Sequence, residues 1–282
     1  MTISILIVSY RAYAELDACL ASLAPWVGPS IEVFVVDHQS DPVAAARLAA
    51  AYPWARVRPT PENPGFAAGV NRAAREATGQ FLLWLNPDSV ATEDVARPLA
   101  AWLDRNPAVG IVGALVRDQD GSIQASARRF PGVSTLLGGR STWLTRVWPG
   151  NPWSRVNLLT GPGVTTPRQV DWVSGACLMT RREVVDALGG LDEGFFLYWE
   201  DADFCRRARD SGWETWYHPG VQVTHLAGRS SRTAHWASRV AFHDSVYRYF
   251  RKHAGPAARV FTPVVWLGIR ARLGLERLTR AR

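Results

Sequence analysis

Apolar and polar residues are grouped in blocks along this chain. Apolar runs at 3–8, 31–36, 81–85 and 109–116 are each about the length of a strand and lack polar alternation. Such runs mark strands buried on both faces of a sheet. Residues 54–58 read as a further short strand. Between the runs lie segments with helical apolar spacing: 12–23, 42–50 opened by Pro42, 66–77 stopped by Gly79, and 92–105 with Thr92 as N-cap. Strand and helix alternating at this spacing predict βαβ units in an α/β fold, a mainly parallel central sheet flanked by helices.

The second half is less regular. Asp120-Gly121 predicts a hairpin running to about Phe130. Residues 131–167 are rich in Gly, Pro and Trp, and Trp143, Trp148 and Trp153 read as hydrophobic anchors of a long loop. Residues 169–179 read as one strand interrupted at Gly175. A short helix at 181–188 ends at Gly189-Gly190, another at 204–209 ends at Gly212, and 213–217 and 221–225 read as two short strands. From about Ser231 the pattern turns helical, over 234–253. After the Gly255-Pro256 break it continues through a basic segment carrying Trp266, Leu267, Ile269, Leu273, Leu275 and Leu278. The expected organisation is one α/β domain over 1–228, dividing near residue 116, and a helical basic appendage over 229–282.

Charge sharpens that division. The formal charge is +7 over 282 residues, yet residues 228–282 hold about twelve Lys and Arg against two acids, which leaves the rest slightly acidic. Basicity confined to the tail points to an anionic surface, phospholipid or nucleic acid; with no recognisable nucleic-acid motif, a membrane face is the expected partner. Cys19, Cys177 and Cys205 lack metal-ligand spacing and read as free thiols in a reducing compartment. The opening MTISILIVSY has no charged leader region, and no apolar run reaches the roughly 18 residues of a membrane span. The expected location is cytoplasmic, peripheral on the inner face of the membrane.

Polar groups recur where the first strands end: Ser9-Tyr10, Asp37 and Asn86-Pro87-Asp88. Open parallel sheets bind ligands at that edge. Asp37 suits a ribose or base, the loop Asn63-Pro64-Gly65-Phe66 opening a helix suits a phosphate, and Asp88 suits a hard divalent cation; a plain turn at 86–88 is equally compatible with these residue types. The absence of GxGxxG after the first strand and of GxxxxGK[ST] argues against a dinucleotide oxidoreductase or a P-loop enzyme. Farther on, Phe195, Phe196, Tyr198 and Trp199 precede Glu200, Asp201 and Asp203. Acids are favourable in a first helical turn, and carboxylates next to aromatics also suit a partly dry general-base site. His225 at a strand end is either structural or a metal ligand alongside Asp88.

Taken in order, IVSY (7–10), VVDHQS (35–40), NPGFAAGVN (63–71), LWLNPD (83–88), WVSGACLM (172–179), GGLDEGFFLYWEDADFCRR (189–207) and His225 resemble the family-2 glycosyltransferases of GT-A fold, in particular bacterial rhamnosyltransferase-like members. The resemblance covers about residues 1–228 and implies a nucleotide-binding half (1–116) and an acceptor-binding half (117–228). It implies that Ser9, Tyr10, Asp37, Asn63, Gly65, Phe66, Asn71 and Asn86 hold the donor nucleotide. Asp88 and His225 would ligate Mg2+ or Mn2+, and Asp201 would be the catalytic base of an inverting transfer. Trp172, Ser174, Gly175, Trp199 and Glu200 would border sugar and acceptor. The implied donor is a nucleotide-diphosphate sugar, dTDP-rhamnose favoured, and the implied acceptor a saccharide or a polyprenyl-diphosphate-linked saccharide of cell-envelope polysaccharide synthesis. Two positions depart from the family pattern: Asn86 replaces the first Asp of DxD, and His38 replaces the usual Asn after Asp37. A non-catalytic sugar-nucleotide-binding subunit of the same fold is the alternative.

Overall fold

The computed structural model describes residues 1–130, 159–161, 163–226, 235–255 and 259–280. Trp143, Trp148, Trp153, Gly228, Ser231 and Pro256 lie outside the described residues.

The predicted strands form β1 (Ile3–Tyr10), β2 (Ile31–His38), β3 (Ala55–Thr60), β4 (Phe81–Leu85) and β6 (Val109–Arg117); the two-residue β5 (Ser89–Val90) follows β4. Helices α1 (Tyr13–Leu23), α2 (Pro42–Ala51), α3 (Phe66–Glu76) and α4 (Ala96–Arg105) stand between them. The sheet runs β3-β2-β1-β4-β10-β6-β11-β5, with β8 (Arg168–Val170) alongside β11 (Glu214–His225). β3, β2, β1 and β4 are mutually parallel, β10 (Cys177–Arg181) enters antiparallel, and β6 and β11 pair in parallel again. Alternate residues of β1 face opposite layers, as the strand period requires. Ile3, Ile5 and Ile7 join α1, α2 and α4 on one side, while Leu6 and Val8 join α3, α5 (Arg182–Leu188) and α6 (Glu200–Asp210) on the other.

Several boundaries differ from the pattern reading. α4 begins at Ala96, not at Thr92, because Asp94 Oδ1 accepts from the Ala96 and Arg97 N–H groups and caps the helix there. The hairpin after Asp120-Gly121 shrinks to one bridge, Arg117 to Ile123, and β7 (Ala127–Arg128) instead pairs with β9 (Trp172–Val173). Residues 169–179 are therefore three strands with different partners, not one. Residues 213–225 are a single strand, β11, whose register slips between His218 and Gln222 where Pro219-Gly220 interrupts the pairing. Gly79 does not cap α3, which ends at Glu76; it lies against Ser4, whose hydroxyl accepts from the Gly79 N–H at 2.9 Å.

The C-terminal segment is not uniformly an appendage. Helix α7 (His235–His253) is laid on the α/β layer: Tyr249 is buried with Phe195 and Ala202, and Ser245 Oγ donates to the Leu197 carbonyl at 2.9 Å. Helix α8 (Thr262–Arg280) packs against α7, joined by Arg270 to Asp244 at 2.8 Å. Among the described residues, no helix is long and apolar enough to cross a membrane. The three cysteines are free and buried, and packing among apolar neighbours raises their thiols.

Candidate active site

A cavity of about 290 Å³ opens at the carboxyl ends of β1, β2 and β4. Of the residues expected to hold donor or metal, Ser9, Tyr10, Asn63, Gly65, Phe66, Asn86, Asp88 and His225 all line it. β1 and β2 each end in a sharp turn through a left-handed residue, Arg11 (φ 52°) and Gln39 (φ 48°), which leaves Tyr10 and His38 as the last side chains of their strands. Gly65 has φ 101°, and a Cβ there would lie 2.4 Å from the Phe196 carbonyl oxygen, so only glycine fits where the loop opens α3. Phe66 N–H donates to that same oxygen at 2.8 Å, tying the loop to the aromatic segment across the cavity.

Asp37 is fully buried one residue behind the wall. Its Oδ2 accepts from Tyr13 Oη at 3.0 Å and Ser40 Oγ at 2.6 Å, while its Oδ1 and Ser9 Oγ are buried without a hydrogen-bond partner among the described residues. Buried polar groups are rarely left unpaired; of these two residues Ser9 lines the cavity and Asp37 lies behind it, paired in register with Ser9 across β1 and β2. His38 serves the loop: Nε2 faces the Gly65 carbonyl at 3.2 Å and Nδ1 faces Thr60 Oγ1 at 2.8 Å. Burial lowers its pKa, so a neutral ring donates from Nε2 and accepts at Nδ1. Asn71, expected among the donor ligands, is elsewhere. Its amide donates to the Leu191 carbonyl and Glu193 Oε1 and accepts from Leu191 N–H, a latch between α3 and the turn after α5 that uses up its polar atoms.

Asp88 and His225, far apart in sequence, meet because β11 pairs with β5 just past the Asn86-Asp88 turn. Asp88 Oδ1 lies 2.9 Å from His225 Nε2, and Asn86 Nδ2 is 3.2 Å from the same nitrogen. One carboxylate and one imidazole are suitable ligands for a divalent cation such as Mn2+ or Mg2+. Among the described residues no group of three or more His, Cys, Asp or Glu is arranged to hold a metal ion; Asp88 and His225 are two protein ligands, and a cation held by them would need the rest of its shell from elsewhere.

Asp201 does not line the cavity. It and the Phe66 ring both approach Gly175: a Cβ there would lie 3.8 Å from both the Phe66 edge and the Asp201 Cβ. Its Oδ2 accepts from Gly175 N–H at 3.0 Å and its Oδ1 from Ala202 N–H at 2.7 Å. Burial raises its carboxyl, and the two N–H groups and Arg128 oppose the rise. Around it gather the residues expected to border sugar and acceptor. The Trp172 ring stacks on Trp199 at 6.4 Å, and Ser174 Oγ accepts from Ala176 N–H at 3.3 Å. Glu200 is buried with Oε2 unpaired; burial first, then Asp201, raise its carboxyl well above the usual range. Asp203, in the same helical turn, faces away into a cation cluster. Phe66, on the wall of the cavity that holds Asp88 and His225, and Asp201, outside it, both flank Gly175.

Pattern reading missed Phe196, Leu197, Tyr198, Ala237 and Ser238 as wall residues. The aromatic run contains Phe196 and Tyr198 and encloses Leu197; nothing in an ordinary Ala-Ser pair flags the last two. Tyr198 and Trp199 are consecutive left-handed residues (φ 68° and 70°) immediately before Glu200 and Asp201. For side chains of this size that conformation costs about 1–2 kcal/mol per residue. A second depression, about 450 Å³, lies among Arg129, Arg168 and Arg209 and contains none of the expected site residues.

A protein-family model described as "Glycosyl transferase family 2" matches residues 4–189. The N-acetylglucosaminyl-diphospho-decaprenol L-rhamnosyltransferase of Mycobacterium tuberculosis H37Rv is 31% identical over 263 residues, 88% of this chain and 84% of that protein. Rhamnosyltransferase WbbL of Escherichia coli K12 is 25% identical over 192 residues, 66% of this chain and 67% of its own. Among solved structures, the mannosyltransferase PcManGT from Pyrobaculum calidifontis, in complex with GDP-Man and Mn2+, superposes with TM-score 0.61 at 18% identity, over 96% of this chain and 69% of its own, a likeness of GT-A fold. With its strand-end cavity and a family match running from β1 to the end of α5, this chain belongs to glycosyl transferase family 2 and is a glycosyltransferase.

Proposed function

We propose that this enzyme is a metal-dependent, inverting rhamnosyltransferase that moves L-rhamnose from dTDP-rhamnose to a hydroxyl of a polyprenyl-diphosphate-linked saccharide. The observation that carries the reading is the Asp88–His225 pair at 2.9 Å on the wall of the strand-end cavity. The rhamnosyltransferase names of the relatives support the sugar, and the M. tuberculosis name supports the lipid-linked acceptor.

In this reading the nucleoside lies along Ser9, Tyr10 and Asp37, and the unpaired Ser9 Oγ and Asp37 Oδ1 receive its polar groups. The Asn63–Phe66 loop and the start of α3 present N–H groups to the diphosphate. Asp88 and His225 would hold Mg2+ or Mn2+, which supplies Lewis-acid neutralisation of the departing diphosphate. Asp201 accepts the acceptor's hydroxyl proton as that oxygen bonds to the anomeric carbon and the bond to diphosphate breaks on the opposite face. One displacement inverts the centre and needs no covalent enzyme intermediate. Phe66 and Asp201 both flank Gly175, so the sugar passes along the Phe66 ring edge.

A thermal-shift series over nucleotide sugars, with and without Mn2+, tests the reading. A bound donor stabilises the folded protein by about 2.7 kcal/mol at a hundredfold excess over its dissociation constant. dTDP-rhamnose with Mn2+ is expected to give the largest rise in Tm, followed by inverted product in a transfer assay. A larger rise with another nucleotide sugar would reassign the donor, and no rise with any would remove the reading.

A further inference from the structure

Gln124 belongs to none of the motifs quoted above, yet it reaches the metal pair from behind. Its backbone is fixed on both sides: N–H donates to the Val116 carbonyl at 2.9 Å, and its carbonyl accepts from Ser126 N–H at 2.8 Å and Thr160 Oγ1 at 3.2 Å. Its side chain bridges Asp118 and His225. Nε2 donates to Asp118 Oδ1 at 2.6 Å, and Oε1 lies 3.2 Å from His225 Nδ1. Asp118 is itself held, accepting from Ser122 Oγ at 3.3 Å and donating its N–H to the Ser122 carbonyl at 2.8 Å.

The amide's orientation follows from its neighbours. A carboxylate only accepts, so the NH2 end must face Asp118, and the carbonyl end is left toward the ring. A carbonyl oxygen facing a ring nitrogen accepts from it, so Gln124 draws the hydrogen of a neutral His225 ring to Nδ1, and the Asn86 amide nitrogen, 3.2 Å from Nε2, favours the same tautomer. Asp88, 2.9 Å from Nε2, pulls the other way: acting alone it would draw the hydrogen to Nε2, and a protonated ring nitrogen has no lone pair for a cation. We propose that Gln124, oriented by Asp118, is a positioning residue that keeps the His225 hydrogen on Nδ1 and so leaves Nε2, with Asp88, to a divalent cation. The inference rests on the metal reading of that pair; partners behind a ligating histidine fix its tautomer and raise its basicity.

The test uses the full-length protein, Gln124→Met (same reach, no acceptor), and the Asp118→Asn/Gln124→Glu double variant, which swaps amide and carboxylate and restores an acceptor toward the ring. Mn2+ binding is followed by electron paramagnetic resonance in the presence of dTDP. The His225 tautomer is read in the metal-free proteins from ring ¹⁵N shifts at a pH where the ring is neutral. Gln124→Met is expected to bind Mn2+ about 10–100-fold more weakly and to shift its ring toward Nε2–H; the double variant is expected to stay within a few-fold of the parent and to keep Nδ1–H. A Gln124→Met protein with the parent's Mn2+ affinity and the parent's tautomer overturns the inference alone. A parent that binds no Mn2+ overturns the metal reading, and this inference with it.

Discussion

Glu200 and Asp201 are consecutive carboxylates with different anchorage. Asp201 is gripped by two backbone N–H groups at 2.7 and 3.0 Å, which fix its direction and oppose the rise that burial imposes on its carboxyl. Asp201→Asn is nearly the same size but keeps only one of the two N–H acceptors, sets its NH2 against the other N–H, and cannot take a proton. Transfer is expected to fall about 10²–10⁴-fold with donor affinity unchanged, measured as single-turnover transfer beside nucleotide titration; equal turnover would take the base role away from Asp201. Glu200 has one oxygen without a partner in a dry setting. Because its carboxyl is raised, the folded protein holds that proton more tightly than the unfolded chain. The stability this contributes is full below the unfolded value and is lost as pH rises toward the folded one. Glu200→Gln removes the loss, so its Tm is expected to gain on the parent's as pH rises from about 4 to 7; a constant difference would mean that Glu200 titrates as in water. Residue types at 200–203 announced a carboxylate cluster, yet not which member does what. That sorting follows from the neighbours each meets, Gly175 for Asp201 and the α7 cations for Asp203.

At the level of elements, α7 was expected as a helix over 234–253, but not its packing on the α/β layer. Lys252 bridges Asp192 at 2.7 Å and Asp203 at 2.8 Å, His253 reaches Asp203 at 2.8 Å, and Arg207 closes on the same carboxylate at 2.8 Å. Burial works against the charge on Asp192, but hydrogen bonds from Lys252 and Arg248 outweigh it and hold the carboxyl down to about 2. These contacts tie α7 to the helix carrying Asp201 and set Ala237 and Ser238 against the cavity. Removing one partner of a buried charge cluster strands the others, at about 3–5 kcal/mol. Asp203→Ala is expected to lose about that much stability in urea denaturation and, by loosening α7, to weaken nucleotide binding as well; an unchanged midpoint would show that α7 is held by its apolar contacts alone. Helices α1, α2 and α3 were legible because their apolar faces repeat with helical period. The separate strands β8, β9 and β10 were not, since one apolar stretch carries no mark of how many partners will divide it.

Across the whole molecule, the sheet supports one active edge and the C-terminal helices give it a direction. Val260, Phe261, Val264, Leu267 and Leu275 are exposed on and just before α8, among Arg270, Arg272 and Arg277. Exposed apolar groups beside arginines suit the interface of an anionic bilayer, where the polyprenyl-linked acceptor of the proposed reaction would reside. Deleting residues after Gly255 is expected to release the protein from anionic liposomes in a co-sedimentation assay while leaving nucleotide binding in place, because α8 packs on α7 and not on the cavity. Undiminished sedimentation would place the membrane contact elsewhere. The linear order of residues was enough to settle that an α/β sheet forms, that Ser9, Asp37 and Asp88 come to one edge of it, and that charge concentrates in the tail. Each of these depends on local periodicity or on simple position along a strand, which a chain carries wherever it goes. The meeting of Asp88 with His225, the diversion of Asn71 into a latch, the approach of Phe66 and Asp201 to Gly175 and the α7 wall depend on which distant surfaces bury one another. Those outcomes are set by packing across the folded molecule, where a side chain's chemistry is fixed by neighbours that its own stretch of sequence does not name.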